Sequence, residues 1–176
     1  MGKILFKLKM KSLTLSMVFG KKHYMKRIVR IYRKAGVVFD GKPKYIDRNA
    51  KLDIFGGAKI YIGEGSVITV DTTILTHDYS IDCGLVAIGK QNSEREAVFE
   101  KDVHIGKNTF IGQKSIILPG VTIGDNCIIG AGAVVSKDIP DNSIVVGCPC
   151  KIIADTREWA NKKIEEKSFV LGDKRR

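Results

Sequence analysis

Residues 1–39 contain no aspartate or glutamate, against eleven lysines and arginines. The remaining chain balances its 19 acids, so the whole net charge of +11 sits in this first stretch. Other scarcities narrow the field further. Four cysteines, at 83, 127, 148 and 150, show neither paired zinc spacing nor an extracellular disulfide framework, and are read as reduced thiols. Cys148-Pro149-Cys150 is one residue short of a CxxC redox motif. No run of eighteen apolar residues exists, which excludes a spanning helix. Lysines interrupt the N-terminus throughout, so no apolar core of a signal peptide forms there. The expectation is a cytoplasmic protein of one domain with tails.

What is abundant is a period of six. From Phe99 a bulky apolar residue returns as Phe99, Ile105, Ile111, Ile117, Ile123, Ile129 and Val135. Glycine follows four of these anchors, at 106, 112, 124 and 130. Four places after each comes Val103, Thr109, Ser115, Val121, Cys127, Ala133 or Ile139, nearly all small or β-branched. Six matches neither a helix nor a simple strand pair, and fixed-period self-similarity marks a repeat architecture. Each hexad suits a short strand and a corner, with the anchor inward and the glycine relieving a clash. Three hexads close one coil of a parallel β-helix. The same phase appears earlier at Ile62, Ile68 and Ile74, whereas Gly56-Gly57-Ala58 disturbs a less regular first coil. Three units follow: a basic arm over 1–43, a repeat domain over 44–154, and a tail over 155–176 that begins as a short helix.

The stretch "IGKNTFIGQKSIILPGVTIGDNCIIGAGAVVSKDIP", followed by "GCPCKII", resembles the hexapeptide-repeat acyltransferases. The likeness is to the branch of maltose and galactoside O-acetyltransferases and the O-acetyltransferases of bacterial surface polysaccharides. The resemblance implies a left-handed β-helix, a homotrimer with active sites between subunits, and acetyl-CoA as acyl donor. It implies transfer to a sugar hydroxyl, as in capsule, O-antigen or exopolysaccharide modification. The alternatives on this scaffold are N-acetylation of an amino-sugar nucleotide or another small acceptor, and a catalytically silent scaffold. A zinc-dependent solenoid needs three histidines on one metal; the chain has only His23, His77 and His104, with His23 outside the repeats, so no metal is expected.

The repeat stops after Ile74-Leu75-Thr76-His77-Asp78-Tyr79, and a segment near 80–98 without hexad phase follows. Loops extruded from a solenoid commonly carry function. His77 matches the family's catalytic histidine by motif and position. An imidazole, which titrates near neutrality, suits proton removal from a hydroxyl attacking a thioester. Asp78, Glu100 and Asp102 are the candidates to orient it.

On the same resemblance, Ala131 would offer backbone hydrogen bonds to the pantetheine arm. Ser136 and Lys137 would stand near the adenosine, and Lys151 would meet the 3′-phosphate; Lys107 is a further coenzyme candidate. Acceptor candidates are Asn49, Asp53, Asp71, Tyr79 and His104, the last where the family often has tryptophan. The basic arm reads in two compatible ways. It is a peripheral contact with anionic lipid at the inner membrane face, or a helix capping the solenoid's open end. Nucleic acid is not expected, because the repeat domain has no basic excess.

Overall fold

The computed structural model describes residues 3–13, 18, 20–54, 56–92 and 94–172. The first two residues, 14–17 and 19 of the basic arm, Phe55, Ser93 and the last four residues lie outside the described set.

Three parallel sheets form the faces of a prism. The first face holds β1 (Val38–Asp40), β4 (Ile60–Gly63), β9 (Val103–Ile105) and β12 (Thr122–Ile123). The second holds β2 (Tyr45–Ile46), β5 (Val67–Ile68), β10 (Phe110–Ile111), β13 (Ile128–Ile129) and β15 (Ser143–Val146), closed by an antiparallel β16 (Lys151–Asp155). The third holds β3 (Lys51–Leu52), β6 (Thr73–Ile74), β11 (Ile116–Ile117) and β14 (Val134–Val135). His104 pairs with Thr122, Phe110 with Ile128 and Ile116 with Val134, each an offset of eighteen residues, so three hexads make one coil.

The anchors fill the prism. Ile105, Ile111, Ile117, Ile123, Ile129 and Val135 are buried, as are the small residues four places on, from Val103 through Cys127 to Ile139. Phe99 is the exception. It lies in a short hairpin outside the coil, β7 (His77–Asp78) against β8 (Phe99–Glu100), and is exposed. Phe99 is therefore not a core anchor; its six-residue phase is coincidental.

The glycines that follow the anchors serve close approach. A Cβ at Gly106 would collide with the carbonyl of Gly124, and one at Gly63 would lie 2.7 Å from the Gly106 carbonyl carbon. The corner itself is made three residues after the anchors Ile62, Ile68, Ile105, Ile111, Ile117, Ile123 and Ile129, and again at Asn142. Gly65, Asp71, Asn108, Lys114, Gly120, Asn126, Gly132 and Asn142 all have positive φ. Asparagines stack along one corner, where Asn108 Nδ2 donates to Asn126 Oδ1 (3.4 Å) and Asn126 Nδ2 to Asn142 Oδ1 (3.2 Å). Such residues tolerate the left-handed conformation through local hydrogen bonding.

Coil winding begins earlier than the sequence suggested. β1 pairs with β4 from Val38, inside the expected arm. Before it, α1 (Lys3–Lys11) and α2 (Lys21–Ala35) close the first coil. α2 buries Tyr24, Ile28, Ile31 and Tyr32, residues spaced along one helical face. The Tyr24 phenol donates to the Ile46 carbonyl (2.8 Å) and that of Tyr32 to the Ala50 carbonyl (3.0 Å), satisfying backbone at the solenoid's edge. At the other end the C-terminal helix (Thr156–Glu165) is capped by Asp155, whose carboxylate accepts from the backbone N–H of Arg157 and Glu158. Among the described residues no helix is long and apolar enough to cross a membrane.

Candidate functional site

His77 stands where the solenoid is interrupted. It lies three residues after the anchor Ile74, the place that carries a positive-φ corner residue in the other hexads from Ile62 to Ile129. Here the chain leaves the coil as β7 instead, and returns as β8. Between them α3 (Ser80–Ala87) has no buried residue; the extruded segment leaves the coil as a hairpin that carries this short helix.

One coil earlier, on the same corner, Asp53 follows β3 just as this segment follows β6, with Leu52 paired to Ile74. Asp53 Oδ2 accepts from the backbone N–H of Thr76 (3.1 Å) and from its hydroxyl (2.9 Å). The same oxygen lies 2.5 Å from Nδ1 of His77. Nδ1 is buried and, among the described residues, makes no hydrogen bond of regular geometry; the Asp53 carboxylate is the charged group set against it. The imidazole as a whole keeps 29% of its side-chain surface exposed, against 9% for Asp53. Thr76 is itself fully buried, and its carbonyl takes the N–H of Lys101 (2.9 Å) from beyond the hairpin. Tyr79 meets the imidazole edge-on at 5.8 Å between ring centres.

The three carboxylates that the sequence offers as orienting partners, Asp78, Glu100 and Asp102, are engaged elsewhere. Asp78 Oδ1 accepts from the Ser80 N–H at 2.9 Å and from its hydroxyl, which hold its carboxyl below the usual range. Glu100 Oε1 accepts from the backbone N–H groups of Gly57 and Ala58, and Asp102 Oδ1 from that of Lys59 (2.7 Å). These contacts explain the Gly56-Gly57 disturbance: a Cβ at Gly56 would collide with the Glu100 carboxylate. Asp53, expected to meet acceptor hydroxyls, is the carboxylate at the imidazole.

The remaining candidates lie on separate edges of the prism. Ser136 and Lys137 follow β14 on the His77 corner, further along the axis. Asn49, Asp71 and Ala131 occupy the corner between the second and third faces. Asn49 donates its backbone N–H to Asp47 Oδ1 (2.8 Å), and Asp71 is a corner residue with φ 57°. Lys107 sits on the third edge, its ammonium 3.4 Å from Asp40 Oδ2. Lys151 opens β16, beyond the last full coil, and is exposed. His104 stacks on Tyr61 across the first face, ring centres 4.3 Å apart and nearly parallel, beside a shallow hollow that Lys107 also lines. One chain thus brings together His77, Asp53, Thr76 and Tyr79, sets Ser136 and Lys137 further along the same corner, and leaves Asn49, Asp71, Ala131, Lys107 and His104 on other sides.

The family described as bacterial transferase hexapeptide (six repeats) matches residues 102–137. A galactoside O-acetyltransferase of Lactococcus lactis is 41% identical over 121 residues, 69% of this chain and 48% of that protein. The chain spans about half the length of the curated relatives it matches. A maltose O-acetyltransferase of Clostridium difficile, known in crystal structure, is 30% identical, with 88% of this chain and 89% of that one covered and a TM-score of 0.57. A galactoside acetyltransferase in complex with coenzyme A shares the fold at 24% identity, with 96% and 86% covered and a TM-score of 0.55. With repeat, coil geometry and relatives in agreement, the chain belongs to the hexapeptide-repeat acetyltransferases.

Proposed function

We propose that this protein is an acetyl-CoA-dependent O-acetyltransferase acting on a sugar hydroxyl, with His77 as general base. The observation that carries the reading is the buried contact of His77 Nδ1 with Asp53, at the one corner where the solenoid opens into a hairpin. A carboxylate at Nδ1 selects the tautomer protonated there and leaves Nε2 free to accept a proton. The acceptor hydroxyl gives its proton to Nε2 as its oxygen attacks the thioester carbonyl. The tetrahedral oxyanion requires hydrogen-bond donors, and the backbone N–H groups of a coil edge are the natural supply. Collapse breaks the C–S bond, and the imidazolium returns the proton to the departing thiolate.

Acetyl-CoA is the donor that the relatives support, one of them carrying coenzyme A. Maltose and galactoside acetyltransferases among them support a sugar as acceptor. The left-handed sense of the coil rests on the same kinship. Ala131, Ser136, Lys137, Lys151 and Lys107 are the proposed coenzyme contacts; Asn49, Asp71, Tyr79 and His104 are the proposed acceptor contacts. Because Ala131, Lys107, Asn49, Asp71 and His104 lie away from the His77 corner, a complete site requires a second copy to bring its own edge against that corner. A homotrimer satisfies that requirement three times over. The acceptor class fits modification of a surface polysaccharide, assembled on the cytoplasmic side of the membrane.

Calorimetry with acetyl-CoA tests the donor assignment, with Lys151→Ala alongside. Saturable binding that weakens in the variant supports the reading. No binding by the folded oligomer removes it and favours a silent scaffold.

A further inference from the structure

The two helices that close the first coil present outward faces of unusual composition. α2 spends Tyr24, Ile28, Ile31 and Tyr32 on the solenoid, so its opposite face is Lys22, Lys26, Arg30 and Arg33, all exposed. α1 packs inward through Phe6, whose ring lies 5.7 Å from that of Tyr32, and through Met10. Its outward face is apolar: Ile4 is 78% exposed, Leu5 49% and Leu8 59%. Helical geometry groups these three on one side, with Lys11 bordering them. Val18, between the helices, is 79% exposed as well.

Burial inside the monomer does not account for Ile4, Leu5 and Leu8, because the inward face of α1 is already filled. Apolar side chains bordered by lysine, on a segment without a single acid, are the composition of a helix lying in a lipid interface. A soluble polyanion would use the cations and have no use for the apolar side chains. We infer that the N-terminal helices seat the protein on an anionic bilayer surface. Ile4, Leu5 and Leu8 enter the headgroup region, and Lys22, Lys26, Arg30 and Arg33 attract acidic headgroups. This inference is independent of the proposed chemistry at His77.

The test is co-sedimentation of the full chain with phosphatidylcholine vesicles, with and without phosphatidylglycerol. Deleting the arm is unsuitable, since it strips Tyr24, Ile28 and Tyr32 from the core. Two double variants replace it, Ile4→Ser with Leu8→Ser and Lys26→Gln with Arg30→Gln, each checked by circular dichroism and light scattering. Binding is expected only with phosphatidylglycerol, weakening as salt rises. The serine pair should lower it at least about tenfold, and the glutamine pair also at least about tenfold. Equal pelleting on both vesicle types overturns the inference. So does a serine pair that binds vesicles like the parent while both retain heparin, which indicates a polyanion site. A serine pair that changes oligomeric mass overturns it too, because the apolar patch then joins copies of the chain.

Discussion

Asp53 Oδ2 reaches Nδ1 of His77 at 2.5 Å across two successive coils, while Thr76 holds the same oxygen with its amide and hydroxyl. The imidazole thus lies against a carboxylate that is itself fixed. On the proposed mechanism Asp53 is a positioning residue. Asp53→Asn should lower kcat by roughly 10²- to 10⁴-fold, and leave the KM for acetyl-CoA within about twofold if the positioning is purely catalytic. Steady-state kinetics with acetyl-CoA varied separates these outcomes. A matching rise in KM would assign Asp53 to ligand binding instead.

The tyrosine cap makes an alkaline prediction. Burial pushes the Tyr24 and Tyr32 phenols well above their ordinary range. Tyr45 is pushed up to about 12, first by burial and then by donating to Asp47 Oδ2 at 2.9 Å. Because these folded values exceed the unfolded value of about 10, the unfolded chain holds fewer protons in that range and stability falls as pH rises. The contribution is complete below about pH 10 and is lost as pH climbs through about 12. Phenolate absorbance and far-ultraviolet dichroism should therefore change together. Early ionisation of all the tyrosines without loss of helix would contradict the cap.

Removing single cap hydroxyls should be felt directly. Tyr24→Phe and Tyr32→Phe each leave a carbonyl of the first coil without its donor, at Ile46 and Ala50. Each should cost about 1–2 kcal/mol in urea unfolding. A loss near zero for both would mean that water replaces the phenols.

The corners offer a gain. Lys114 holds φ at 57° without the local hydrogen bonding that asparagine supplies at Asn108 and Asn126. Lys114→Asn should stabilise the protein by roughly 0.5–1 kcal/mol, part of the left-handed penalty, read as a rise in the denaturation midpoint. Glycine positions split in the opposite sense. Gly106→Ala drives a Cβ into the Gly124 carbonyl and should cost about 3 kcal/mol or more. Gly84→Ala, in open space on α3, should be neutral or stabilising by up to about 1 kcal/mol.

Much of this was legible because a solenoid repeats its physics. Each hexad must fill the same taper, so Ile105 through Val135 announce their burial by spacing alone. The positive-φ series from Gly65 to Gly132 was equally present, as glycine, asparagine or aspartate recurring three places after an anchor, with Lys114 masking the pattern. Phe99 misled because a hairpin residue fell in phase by chance. The partner of His77 was hidden for a different reason. Asp53 lies on the first coil, where extra residues around Gly56 and Gly57 break the six-residue count, so its alignment with the His77 corner needed the register of β3 on β6. The helix α3 left no trace, since it buries nothing and its apolar residues are not gathered on one side.

The most direct test of the account compares wild type with His77→Gln. Release of CoA thiol from acetyl-CoA is followed with galactoside and maltose acceptors, and acetyl-CoA binding is measured on the same samples. The account predicts acceptor-dependent thiol release by wild type, a kcat lower by roughly 10²- to 10⁴-fold in the variant, and undiminished acetyl-CoA binding. Wild-type turnover by His77→Gln would contradict it.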